Sequence, residues 1–180
     1  MIDYHFGAYI RLLSFKNYLS GYYMNLFSLL DEITVLPNHI AGSKKELINA
    51  LVDTLKDKVD SNEQLEDVRK AVFEREEIMS TGVGKGLAIP HAKTKAVSEN
   101  HAAFALLKDP LDFDSIDNEP VRLVFLLVGP ESKNSQHIKL LSRISRLMNS
   151  GSFRKKILAC TSSDEILEAF RMEEEKYFVN

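Results

Sequence analysis

The chain has 180 residues, enough for one compact domain with a real core and too few for two ordinary domains joined by a linker. Apolar residues make up 44% and charged residues 27%, while Gly (8) and Pro (5) are sparse, which excludes collagen-like, low-complexity and disordered readings. The net charge of -3 supplies no basic field for a polyphosphate backbone, so nucleic acid is not an expected partner, and the lone Cys160 excludes an intrachain disulfide and a cysteine metal cluster.

Residues 1–23 are aromatic-rich and unlike the rest, with Tyr4, Phe6, Tyr9, Phe15, Tyr18, Tyr22 and Tyr23. They read as an N-terminal extension: an extra helix, or leader residues ahead of a start at Met24, with a membrane-surface or interaction helix as the alternative. No stretch has the apolar length to span a bilayer, and no apolar core followed by a small-residue cleavage site marks an export signal. A cytoplasmic, reducing location without stable membrane insertion is expected.

The domain proper is expected over residues 24–180. A first β-rich run covers 33–36. Three helix starts then carry a serine followed three residues later by Glu or Gln: Ser43 with Glu46, Ser61 with Gln64, and Ser162 with Glu165. In such a capping box each side chain satisfies a backbone N–H that the first helical turn leaves free. Leu47, Ile48, Leu51, Val52 and Leu55 form a helical stripe, as do Leu65, Val68, Ala71 and Val72. Further β-rich runs follow at 87–89, 102–107 and 121–128, the last apolar throughout and so suited to a central strand buried on both faces. The final third is helical, with one stripe of Ile138, Leu141, Ile144 and Met148 and another of Ile166, Leu167 and Phe170; Cys160 falls on an apolar helix face. Helices before, between and after strands imply a layered α/β domain.

The densest cluster of unusual residues runs from Ser80 to His91, with Gly82, Gly84 and Gly86 in five positions. Such glycines allow a tight turn or a close approach by another molecule. A Walker loop would need Gly at Met79 and Ser or Thr at Gly86, and a dinucleotide fingerprint would need Gly at Leu87, so neither nucleotide loop is present. After the loop, Pro90 cannot donate to a ladder, so the strand is expected to end there and His91 to emerge where the chain leaves the sheet. A core histidine and an accessible nucleophile both fit that placement. Neutral imidazole has a free lone pair on one nitrogen and can attack phosphorus without a base, provided the other nitrogen donates to a carbonyl or carboxylate.

The run Glu76, Val83-Gly84 and Leu87-Ala88-Ile89-Pro90-His91-Ala92 resembles the signature of enzyme IIA domains of the bacterial phosphotransferase system, of the fructose/mannitol type including its nitrogen-regulatory branch. The resemblance extends from about Met24 to the C-terminus. It implies a three-layer-like α/β sandwich with a mixed parallel and antiparallel sheet flanked by helices. It also implies phosphorylation of His91 by HPr or a paralogue, and transfer to an enzyme IIB domain in sugar uptake; the alternative is a regulatory protein whose phosphorylation state selects its partner proteins. Arg75 stands at the family's arginine and His137 at its second active-site histidine.

Arg75 would offer phosphate a planar fork of donors, though a surface arginine at a helix end reads the same way locally. His137 falls at the start of a helix, where free N–H groups and the dipole disfavour an imidazolium but welcome an anion; a polar residue in a first turn is the plain reading. Glu76, Gly82 and Gly84 are expected to support the loop. Positioning and charge stabilisation suffice for transfer between histidines, so no metal or other cofactor is expected. A metal-dependent hydrolase built on His91 and His137 lacks further ligands at suitable spacings. His5, His39 and His101 are expected to be surface or packing residues. The acidic run Glu63 to Glu77 reads as a solvated face or as a surface that steers a basic donor.

Overall fold

The computed structural model describes residues 25–178, so the extension expected over 1–23 lies outside the described residues. Six strands form one sheet: β1 (Val35–His39), β2 (Gly82–Gly84), β3 (Leu87–Ala88), β4 (His91–Thr94), β5 (His101–Leu111) and β6 (Val121–Pro130). Five α-helices accompany them: α1 (Lys44–Asp53), α2 (Asn62–Ile78), α3 (Asn134–Asn149), α4 (Gly151–Leu158) and α5 (Ser163–Phe178). The sheet order is β1-β5-β6-β3-β2, with β4 also on β6. Contacts of β6 with β3 and β4 and of β1 with β5 are parallel; β5 with β6 and β2 with β3 are antiparallel. The sheet is therefore mixed, as expected.

Strand alternation divides the core into two. On one face Phe104, Leu106, Leu123, Phe125 and Leu127 pack with Leu140, Ile144 and Leu147 of α3, Phe153 of α4 and Phe170 of α5. On the other, Ala103, Ala105, Val124, Leu126 and Val128 pack with Leu47 and Leu51 of α1 and Val68 and Val72 of α2. Helices thus cover both faces in three layers. β5 puts large side chains toward α5, where Phe104 and Phe170 meet edge-on at 5.1 Å, and alanines toward α1 and α2. β6 is the buried central strand its apolar run predicts.

The three serine caps form, each hydroxyl accepting from the N–H three residues on. The partner carboxylate or amide reaches back to the residue before the cap: Glu46 to Gly42, Gln64 to Asp60 and Glu165 to Thr161. Three local expectations are corrected. The first strand begins at Val35, because Asp31 Oδ1 accepts from the N–H groups of Ile33 and Thr34 and closes a turn that leaves Ile33 exposed. The buried stripe of α3 is His137, Leu140, Ile144, Leu147 and Met148, while Ile138 faces solvent. The chain also does not leave the sheet at His91: β4 continues beside β6 in the register of β3, with Leu87 opposite Leu123 and His91 opposite Leu127. Pro90 removes one donor, yet its carbonyl still accepts from Leu127 N at 3.0 Å, so the strand is interrupted without being ended.

Candidate functional site

His91 opens β4 as a half-buried residue beside a groove of about 430 Å³ whose walls include Arg75, Gly82, Ile89 and Ile116. Its Nδ1 lies 2.8 Å from the carbonyl oxygen of Ile89. A carbonyl only accepts, so Nδ1 carries the proton and Nε2 keeps the lone pair. Burial pushes the His91 pKa below its ordinary value; the Ile89 carbonyl opposes this, the Arg75 charge adds to the lowering, and Glu76 opposes it. The ring is therefore neutral near pH 7.

The frame behind His91 is a continuous set of hydrogen bonds. Ile89 N donates to Thr81 O at 3.0 Å, and Thr81 N donates to Glu76 Oε1 at 2.9 Å, with the Thr81 hydroxyl bonded to the other carboxylate oxygen. Glu76 is buried on the last turns of α2 and pairs with Lys44 Nζ at 2.7 Å. Lys44 also donates to Phe113 O at 3.1 Å and lies over the Phe113 ring at 4.6 Å. Glu76 thus ties helix to strand behind the histidine. Lys44 was not expected: as the first residue after a serine cap it carries no sequence signal beyond helix initiation.

The glycines serve the chain's own packing and turn. A Cβ at Gly82 would lie 2.5 Å from Ser115 Oγ, and one at Gly84, where φ is +90°, would lie 2.7 Å from Asp117 Oδ2. The close approach they allow is by the chain's own 113–118 loop, which Gly82 O also holds by accepting from Ile116 N at 3.0 Å. Gly84 and Gly86 further supply positive φ for the turn between β2 and β3.

Arg75 sits near the end of α2, where its Nη1 donates to Met79 O at 2.9 Å. That bond satisfies a carbonyl at the helix end and leaves the rest of the fork at the groove that His91 borders. His137, the fourth residue of α3, is 2% exposed, and its ring centroid is 6.1 Å from that of His91 at 44°. Its pKa is lowered to about 4, chiefly by burial, then by the charges of His91 and Lys93. Neither of its ring nitrogens has a hydrogen-bond partner among the described residues. His101 is buried packing on β5. Asn100, unmarked by any sequence signal, is buried beside His137.

Arg75, His91 and His137, distant in sequence, thus converge on one place, with Glu76 behind them. No group of three or more His, Cys, Asp or Glu among the described residues is arranged to hold a metal ion. No described helix is long and apolar enough to cross a membrane.

Residues 28–172 match the family model described as phosphoenolpyruvate-dependent sugar phosphotransferase system, EIIA 2. The fructose-specific EIIABC component of Bacillus subtilis (strain 168) is 36% identical over 145 residues, which cover 81% of this chain but only 23% of that protein. A nitrogen regulatory protein of Bradyrhizobium diazoefficiens is 35% identical over 143 residues, covering 79% of this chain and 92% of the relative. The crystal structure of nitrogen regulatory protein IIA-Ntr from Neisseria meningitidis superposes with a TM-score of 0.75 at 29% identity, covering 81% of this chain and 98% of that one.

Proposed function

Because the chain belongs to the EIIA 2 family of the phosphoenolpyruvate-dependent sugar phosphotransferase system, we propose that it accepts a phosphoryl group on Nε2 of His91 from phosphorylated HPr or a paralogue. The unit expected over residues 24–180 then passes that group to an enzyme IIB domain in sugar uptake, in the cytoplasm. A phosphoryl-carrier role follows from the family; the acceptor atom, the partners and the sugar route are the proposal.

The observation that carries it is the 2.8 Å contact of Nδ1 with the Ile89 carbonyl, which leaves Nε2 as the nucleophile beside Arg75 and His137. In the transfer, the lone pair of His91 Nε2 forms the new P–N bond while the donor's P–N bond breaks, its electron pair returning to the donor ring. The His91 ring gains positive charge and keeps its Nδ1–H on the carbonyl. Arg75 and His137 offer N–H groups to the phosphoryl oxygens, with His137 protonated as negative charge arrives. Exposed Met79, Val83 and Ile116 at the groove supply an apolar rim suited to a protein donor rather than a small one. The Bacillus relative is an EIIABC component, joining A, B and C in its name, which supports IIB as recipient.

A regulatory reading shares this chemistry and is supported by the nitrogen regulatory relatives in sequence and structure. Capture of a IIB domain by the phosphorylated chain favours transport, and capture of a regulatory protein by one phosphorylation state favours the second. The carrier step itself is tested by incubation with phosphoenolpyruvate, enzyme I and HPr, followed by mapping of acid-labile phosphate. Label on His91 is expected; label elsewhere, or none, removes the assignment.

A further inference from the structure

His137 and Asn100 are buried side by side, each with hydrogen-bonding capacity unmet. They are 2% and 4% exposed. Both His137 nitrogens and Asn100 Oδ1 lack a partner among the described residues. Two of these atoms converge over Gly129: a Cβ there would lie 2.3 Å from Asn100 Oδ1 and 2.8 Å from His137 Nδ1. The backbone does not demand glycine at 129, since only Gly84 and Gly86 have positive φ among the described glycines. The room is what requires it.

The carboxamide's direction is also set. Asn100 Nδ2 donates to Gln136 Oε1 at 3.1 Å, and Gln136 precedes His137 on α3. With its amine end so engaged, Asn100 turns its oxygen to the ring. An amide oxygen only accepts, and one nitrogen of a neutral imidazole must carry a hydrogen. Pairing the two relieves both orphaned groups at once.

We propose that Asn100 is a positioning residue for His137, its Oδ1 accepting Nδ1–H across the space left by Gly129 and so reserving Nε2 for the phosphoryl group. The part played by Nε2 rests on the carrier reading; the Asn100–His137 pairing does not. In the resting protein Nε2 holds a lone pair. When the phosphoryl group arrives, a proton from solvent adds to that lone pair, and the imidazolium donates one N–H to a phosphoryl oxygen and the other to Asn100. Burial opposes that second proton first, then any charge on His91 and the charge of Lys93, until the phosphoryl charge offsets them.

The test is the tautomer of His137, read by one-bond nitrogen–proton coupling in the full chain with nitrogen-15-labelled histidine at pH 7, without phosphodonor. Wild type should carry its proton on Nδ1. Asn100→Ala should lose that preference, and Asn100→Asp, which keeps an acceptor oxygen, should restore it; Asn100→Ala should also label His91 about tenfold more slowly. A wild-type ring protonated on Nε2, or a folded Asn100→Ala protein with the tautomer unchanged, overturns the assignment of Asn100. A wild-type chain that takes no phosphate on His91 while its tautomer follows Asn100 sinks the carrier reading instead and leaves the pairing standing.

Discussion

The two imidazoles of the site are held in opposite ways. His91 is half-buried and bonded, its Nδ1 fixed to Ile89 O and the strand behind it tied through Thr81 and Glu76 to Lys44. His137 is almost wholly buried, yet neither of its nitrogens has a bonded partner among the described residues, and the pairing proposed with Asn100 still leaves Nε2 unmet. A reacting nitrogen must be presented at a fixed angle, so it sits on a frame in which each polar group is satisfied. A supporting ring must gain bonds only when charge arrives, so part of its capacity is left unmet, at a cost in stability.

The largest effect expected on the bonded side is from His91→Ala, which should take no acid-labile phosphate from phosphorylated HPr while keeping its fold. Labelling of that variant at the wild-type level would place the acceptor elsewhere. Arg75→Lys should come next, at about 100-fold slower labelling, because a point charge cannot hold both Met79 O and a phosphoryl oxygen in the planar geometry of the guanidinium. A Lys variant that labels at the wild-type rate would make Arg75 a helix-end cap and nothing more.

The two sides were also unequally legible in the sequence. Much that is local could be read: the serine caps, the apolar β6, and His91 beside a proline; the turn that Asp31 closes before β1 could not. Most of what was missed depends on long-range pairing. Pro90 reads as the end of a strand, because sequence shows its absent donor but not the β6 neighbour that still bonds its carbonyl. The glycines leave a tight turn and an approach by another molecule both open, because nothing local reveals that residues 113–118 fill the space beside Gly82 and Gly84. Lys44 and Asn100 have no spacing to mark them. Each acquires a role only when a helix or strand far along the chain is folded against it. Ile138 was misplaced for a related reason: α3 turns His137, Leu140, Ile144 and Leu147 inward, and Ile138, one position after the histidine, falls off that stripe.

Lys44→Met probes the frame behind His91. It leaves the Glu76 carboxylate buried with its Thr81 bonds but without its cation, and should destabilise the fold by about 2 kcal/mol; a fully buried pair would cost more to break, and Lys44 retains some exposure. Urea denaturation measures this. A loss below about 0.5 kcal/mol would mean that the Thr81 bonds alone hold Glu76.

The smallest effect expected concerns the unbonded side and has the opposite sign. Replacing His137 and Asn100 together by leucine removes both members of the buried polar pair and the unmet Nε2, and should stabilise the fold by about 1 kcal/mol at pH 7.5 while slowing transfer. The advantage should also depend on pH. In the folded protein His137 resists protonation down to about 4, whereas in the unfolded chain it takes up a proton near its ordinary 6.5. Between those values the unfolded state binds more protons, so wild type loses stability as pH falls through that window, and the leucine variant is spared that part of the loss. His91 and His101, whose pKa values burial also lowers, remain in both proteins and cancel in the comparison. The stability gap should therefore be constant above about pH 7, widen as pH falls below 6.5, and level off below about 4. A gap that stays flat across that range would mean that His137 titrates as an ordinary imidazole in the folded protein, and the contrast between the two rings would disappear.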